Sequence, residues 1–343
     1  MPRNFFLLVG FAVSSVVLFA QSTQEDSLRR VYVNEKDPIK KADAYFQLAD
    51  LLVDEKPEAG IPFADTLEQI GKTIRDPEIL SRASYLRGQT YYHQGKYATA
   101  LPFYREALNF ANKTTDLDLQ GKALNSVGSC FHDMVQNDSA LVYLMRAARI
   151  KEQLGNKKDI AAAYSNIGNV FSDEMAPDKA VEWLEKALAI RLSLPNGEKS
   201  AIVTYNNLSV AYNVKGDFDK ALEYAQKGIK LALETGNKLH AGVIYGSIGH
   251  LMLKKGDPDK CIEFCDQSVR LLTEINRKAN LVFPLANLSE AWWRKGNYAK
   301  ALELNNQGYA IMQELKLLQP LEVYYENYMN IYESTGDYKQ SLS

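Results

Sequence analysis

Apolar residues in this chain fall in steps of three, one and three, and the set returns about every forty positions. Tyr164, Ile167, Gly168 and Phe171 make one set, followed by Tyr205, Leu208, Ser209 and Tyr212, then by Tyr245, Ile248, Gly249 and Met252. Such spacing lines one face of an α-helix. A second set trails each first one: Ala180, Trp183, Leu184 and Ala187; Ala221, Tyr224, Ala225 and Gly228; Ala301, Leu304, Asn305 and Gly308. Each period therefore predicts two helices. Large and small residues alternate so that neighbouring helices interdigitate, and the Gly or Ser inside the first helix lets another helix come close.

A polar turn separates the two helices. Gly95-Lys96-Tyr97-Ala98-Thr99-Ala100, Gly216-Asp217-Phe218-Asp219-Lys220-Ala221, Gly256-Asp257-Pro258-Asp259-Lys260-Cys261, Gly296-Asn297-Tyr298-Ala299-Lys300-Ala301 and Gly336-Asp337-Tyr338-Lys339-Gln340-Ser341 are copies of it. Degenerate copies at Asn137-Asp138-Ser139-Ala140 and Ala176-Pro177-Asp178-Lys179-Ala180 keep the register. Pro177 and Pro258 fall in the first turn of a helix, where a missing N–H does no harm. Pro62 and Pro102 fall deeper and are expected to bend their helices slightly. A period of this length means a stack of one supersecondary unit, with no single central cavity.

These residues carry a resemblance to the tetratricopeptide repeat, which has a bulky residue, Leu-Gly and Tyr on its first helix and Ala, an aromatic and Ala on its second. The resemblance covers about residues 40–343 and is weakest in the first unit, where Gly60 replaces the turn Ala and Lys56-Pro57 replaces Gly-Asp. The usual unit is about 34 residues. The longer form here resembles the branch that includes kinesin light chains, spindle adaptors and bacterial sensor ectodomains. It implies an all-α, right-handed superhelical solenoid of about seven units plus an incomplete last one, with a peptide or protein held in the concave groove.

The first residues have a different character. Arg3 precedes an apolar run from Phe5 to Phe19, and Ala20-Gln21 supplies a small residue before a polar stretch. This predicts a signal peptide over 1–20, then a linker over 21–39 and the solenoid over 40–343. Retention of the segment as an anchor is the alternative, because Leu18 is large for its place before the cut. The expected location is the bacterial envelope, periplasmic or at the cell surface. The array stops soon after its last turn, at Ser343. That ending suggests the front of a longer signalling protein, continuing into a membrane segment.

Chemistry changes the picture little. With 40 Lys and Arg against 42 Asp and Glu, the chain has no basic run for nucleic acid or an anionic membrane. Cys130, Cys261 and Cys265 have no framework spacing; they are expected as small buried thiols, an intrahelical disulfide or metal pair being the alternative for Cys261 and Cys265. His93, His132, His240 and His250 are scattered, and no metal, phosphate-loop or nucleophile motif occurs. No catalytic residue, metal or cofactor is expected.

Two positions before the Gly or Ser of the first helix, Ser126, Asn166, Asn207, Ser247 and Asn287 form a polar ladder that Asn327 continues in the last unit. Asn is worse than Ala in a helix by roughly 0.5 kcal/mol, so helix stability does not explain it. By resemblance this face lines the groove, where amides bond the backbone of an extended ligand. Neighbouring groove positions are Asn125, His132, Asn169, Asn206, Asn213, His250, Glu290, Trp293, Arg294 and Asn330. The alternative is that the amides bond the adjacent repeat. Two functions follow: a non-enzymatic envelope scaffold that binds an extended segment, or the extracytoplasmic sensory part of a histidine kinase, cyclase or transcriptional regulator.

Overall fold

The computed structural model describes residues 25–53, 57–195, 197–315, 317 and 321–337. The signal peptide expected over 1–20 lies outside them. Residues 25–34, inside the stretch expected as a linker, are helical, and Tyr32 stacks on Tyr45 with ring centroids 4.3 Å apart. No strand occurs among the described residues. The fold is an all-α solenoid of helix–turn–helix repeats, and contacts divide it into two units, 1–156 and 157–343.

The first unit holds α1 (Pro38–Val53), α2 (Gly60–Ile74), α3 (Pro77–His93), α4 (Tyr97–Ala111), α5 (Leu117–Asp133) and α6 (Asn137–Leu154). The second holds α7 (Lys157–Asp173), α8 (Pro177–Leu192), α9 (Gly197–Lys215), α10 (Phe218–Glu234), α11 (Lys238–Lys254), α12 (Pro258–Glu274), α13 (Val282–Arg294), α14 (Tyr298–Leu315) and α15 (Leu321–Thr335). Odd-numbered helices are the first of each pair and are called A; even-numbered ones are B. Because α2 starts at Gly60, Pro62 lies within its first turn, not deeper as expected. Pro102 is inside α4.

Within each unit an A helix packs on its own B helix, and that B helix on the next A helix. Successive A helices also touch, whereas among the described residues no two B helices pack closely on one another. The A row is thus the tight side of each unit and the B row the splayed side. Small residues set the A–B approach. A Cβ added at Gly128 would lie 2.7 Å from Leu144, at Gly168 2.7 Å from Leu184, and at Gly249 2.3 Å from Cys265 Sγ. At the equivalent place in α13, Ser289 is fully buried and its hydroxyl donates to the Ala301 carbonyl (2.9 Å).

The turn has a two-part logic. Gly216, Gly256 and Gly296 take φ of +82°, +78° and +76°, which lets the next N–H reach back, as in Asp257 N to Met252 O (2.9 Å). The following Asp or Asn then caps the B helix: Asp217 accepts from Lys220 N, Asp257 from Lys260 N and Asn297 from Lys300 N. Ion pairs join consecutive turns, Lys215 to Asp178 (2.6 Å), Lys255 to Asp219 (2.7 Å) and Lys295 to Asp259. All are exposed, so water and salt screen them and each adds little to stability. In the degenerate turns Val135 and Met175 hold φ of +58° and +55° without glycine.

Two substitutions test this account by urea denaturation. Val135→Gly removes a left-handed β-branched residue and is expected to raise stability by about 1 kcal/mol. Gly249→Leu drives a side chain into Cys265 and is expected to cost about 2 kcal/mol or more.

Candidate functional site

Helix geometry assigns the free face of each A helix. In α11, Tyr245, Ile248, Gly249 and Met252 turn toward α12, with Tyr245 stacked on Phe264 at 6.1 Å and Gly249 against Cys265. On the opposite side, at i, i+4, i+7 and i+11, lie Val243, Ser247, His250 and Lys254. The same stripe is Ala162, Asn166, Asn169 and Asp173 in α7, and Val203, Asn207, Val210 and Val214 in α9. It continues as Phe283, Asn287, Glu290 and Arg294 in α13, and Val323, Asn327, Asn330 and Ser334 in α15. Since A helices stand side by side in the second unit, these stripes form one surface there.

The polar ladder is the main correction. Asn287 and Asn327 are only 8% and 4% exposed. Asn287 Nδ2 donates to the Gly246 carbonyl (3.4 Å), and Asn327 Nδ2 to the Ala286 carbonyl (3.1 Å) and to Asn305 Oδ1 (3.2 Å). Ser247 Oγ donates to Asn206 Oδ1 (3.0 Å). These groups tie one A helix to the A helix before it. Where the earlier residue is Gly246 or Ala286, a long amide crosses to the backbone; where it is Asn206, the short Ser247 suffices. Ser126 is buried and lies close to Tyr104, a B-helix residue, so it faces the core. The amides of Asn287 and Asn327 are thus committed to the adjacent helices, and the Ser126 hydroxyl is buried.

Other expected positions divide. Asn207, Asn213 and Asn169 are half-buried, and no side-chain hydrogen bond is formed by them among the described residues. Asn125, His132, Asn166 and Asn330 are also half-buried. Arg294 donates to the Leu253 carbonyl (3.0 Å) and pairs with Glu290, and Trp293 Nε1 donates to Ser334 Oγ (2.8 Å). His250 Nδ1 lies 3.4 Å from Asn287 Oδ1. Burial, reinforced by Lys254, holds the His250 pKa below its ordinary 6.5 against the opposing pull of Asn287 and Glu290.

The sequence expectation overlooked an apolar row. Six positions before each Gly or Ser of the A helix stand Val203, Val243 and Phe283, continued by Val323 in α15. Val203, Phe283 and Val323 are 38%, 57% and 36% exposed, and Val210 one column away is 40% exposed. The signal was available: an apolar residue at a fixed register on the face turned away from the B helix. In the first unit the same register is charged and internally paired. Arg82 bridges Asp43 (3.0 Å), Lys122 bridges Asp118 (2.9 Å), and Gln89 donates to Asp50 (3.2 Å).

The cysteines fall in the core. Cys261 and Cys265 are buried thiols with sulfurs 3.9 Å apart. The neighbouring Cys265 thiol and burial push the Cys261 pKa far up, and burial pushes Cys130 up to about 12. Protonated thiols are poor metal ligands and nucleophiles. Among the described residues no cluster of three His, Cys, Asp or Glu could hold a metal, and no helix is long and apolar enough to cross a membrane.

A family model described as Tetratricopeptide repeat matches residues 80–153, 159–234 and 241–314. No curated protein matches significantly. Among solved structures, a Rap protein complexed with competence and sporulation factor is similar over 93% of this chain and 99% of its own, at 16% identity and a TM-score of 0.61. Aspartyl phosphate phosphatase F from Bacillus subtilis is similar over 91% and 85%, at 14% identity and 0.63. BtubC from P. vanneervenii is similar over 63% and 90%, at 23% identity and 0.54.

Denaturation separates brace from free amide. Asn287→Ala and Asn327→Ala each remove buried hydrogen bonds between helices and leave a small void, and are expected to cost about 1–3 kcal/mol. Asn207→Ala is expected to stay within about 0.5 kcal/mol of the parent. A pH series probes His250. Its folded pKa lies below the unfolded value, so the unfolded chain binds more protons in that window and stability falls as pH drops below 6.5. His250→Gln is expected to flatten that fall in melting temperature, leaving the part due to His240, whose pKa burial also lowers.

Proposed function

This chain belongs to the tetratricopeptide repeat family, and from that premise we propose that it is a non-catalytic scaffold of the bacterial cell envelope. It holds an extended segment of a partner protein against the A-helix face of residues 157–343. The observation that carries this reading is the solvent-exposed row formed by Val203, Phe283 and Val323. Each keeps more than a third of its surface in water, and burial of that surface by a ligand yields about 25 cal/mol for each Å² removed from water. The free amides of Asn207 and Asn213 supply donors and acceptors for a ligand backbone. The buried braces keep the row rigid, which lowers the ordering cost of binding.

Likeness to a Rap protein solved with its factor bound supports binding as the role of this architecture. Several weak apolar and amide contacts, offset by ordering of the ligand, lead to a dissociation constant on the order of micromolar. Export rests on the apolar segment at 5–19 and its flanks.

The test is cross-linking in the native host followed by mass spectrometry, comparing the parent with Val203→Asp/Phe283→Asp. Both residues are exposed, so the double variant is expected to melt within a few degrees of the parent and to lose its cross-linked partners. Retention of the same partners overturns the assignment to this face. Amino-terminal sequencing of the protein from the envelope fraction tests export: a first residue near Gln21 is expected.

A further inference from the structure

The A-helix surface of the second unit has a definite pitch and an unusual lack of charge through its middle, and together these specify its ligand. Successive A helices touch directly, as Ser247 Oγ on Asn206 (3.0 Å) and Asn327 Nδ2 on the Ala286 carbonyl (3.1 Å) demonstrate. Helices in such contact have axes about 8–10 Å apart. Val203, Val243, Phe283 and Val323 sit at one register on consecutive A helices, so the apolar row repeats at about that pitch. A ligand matches the row when its own side chains return to one face at the same interval.

Three backbone geometries can be compared. A polyproline II segment has three residues per turn and rises about 3.1 Å per residue, so every third side chain faces one way at about 9.3 Å. A β-strand returns to one face at about 6.6–6.8 Å and again at about 13 Å, straddling the pitch. An α-helix has i and i+7 about 10.5 Å apart, but its backbone groups are already paired. Asn207 and Asn213 would then face a ligand with nothing to offer them. Polyproline II has no internal hydrogen bonds, and its carbonyls are open to those amides.

Charge narrows the choice. The stripe positions Val203, Asn207, Val210, Val243 and Ser247 carry no ionised side chain, and the charges along the same stripes, Lys199 and Lys254, stand at the helix ends. A charged ligand residue seated there would lose hydration with no counter-charge. The corresponding face of the first unit is charged and neutralises itself through Arg82 with Asp43 and Lys122 with Asp118. Uncharged surface thus matches uncharged ligand.

We propose that the second unit binds an uncharged polyproline II segment carrying an apolar side chain at every third position. This rests on the groove reading above and names the class of segment it accepts. The ordered, low-entropy backbone of such a segment adds affinity that a flexible chain lacks.

The test is selection of binders to the full-length chain from a displayed library of random peptides of about twelve residues, enough for four turns. Each selected peptide is then measured by fluorescence anisotropy against the parent, Phe283→Asp and, on the opposite unit, Arg82→Gln. Enrichment of uncharged, proline-containing sequences with a three-residue apolar period is expected. Their affinity should fall at least about ten-fold with Phe283→Asp and stay within about two-fold with Arg82→Gln. Binders of two- or seven-residue period, or charged ones, that are still weakened by Phe283→Asp overturn the polyproline II inference and leave the groove reading standing. Binders indifferent to Phe283→Asp, or an absence of binders, overturn both.

Discussion

The molecule depends on one close approach, that of each A helix to its own B helix at a residue with almost no side chain. Gly128, Gly168 and Gly249 have no room for a β-carbon, and Ser289 fits through a hydrogen bond to the facing carbonyl. Helices drawn this close bury Leu144, Leu184 and Cys265 completely or nearly so. The gain lies in contact density: interiors are packed like organic crystals, and a gap of a fraction of an ångström forfeits much of the dispersion attraction. A hairpin built this way still leaves apolar surface on both flanks, so it is stable only when stacked.

From that approach the functional face follows. When one side of an A helix is committed to its B helix and two flanks to neighbouring hairpins, a single stripe is left over. In the second unit these stripes adjoin because successive A helices touch. Apart from the braces at Asn287, Asn327 and Arg294, the stripe carries few packing demands, so its residues are free to differ from unit to unit and to serve a partner. The two units have used that freedom differently, one carrying paired charges and the other Val203, Val243, Phe283 and Val323.

The amide ladder shows why a regular polar pattern is ambiguous. Asn207 and Asn287 are the same residue type at the same register, yet one is half-buried without a side-chain partner and the other is sealed against the Gly246 carbonyl. A helix carbonyl already holds one intrahelical bond and has a second lone pair to offer, so an amide crossing the gap stabilises the A–A contact without disturbing either helix. Whether it crosses depends on the residue opposite. Gly246 and Ala286 leave the backbone open, whereas Asn206 fills the space and meets Ser247 instead.

Local chemistry alone determined the repeat, the helix pairs and the turns. Periodicity, the left-handed Gly before a capping Asp, and the Gly or Ser of the A helix all act within a few residues along the chain. The expectation of an export segment over 1–20 rests on the same kind of local pattern, of apolar and small residues. Tertiary packing decided the site. Ser126 faces Tyr104, Asn327 reaches Ala286 forty-one positions back, and Trp293 reaches Ser334. Those partners lie about half a repeat or one whole repeat away in the chain, and only the stacking offset between helices brings them opposite one another. The offset is set by how whole side chains interlock, a property of two helices together that neither helix carries in its own sequence.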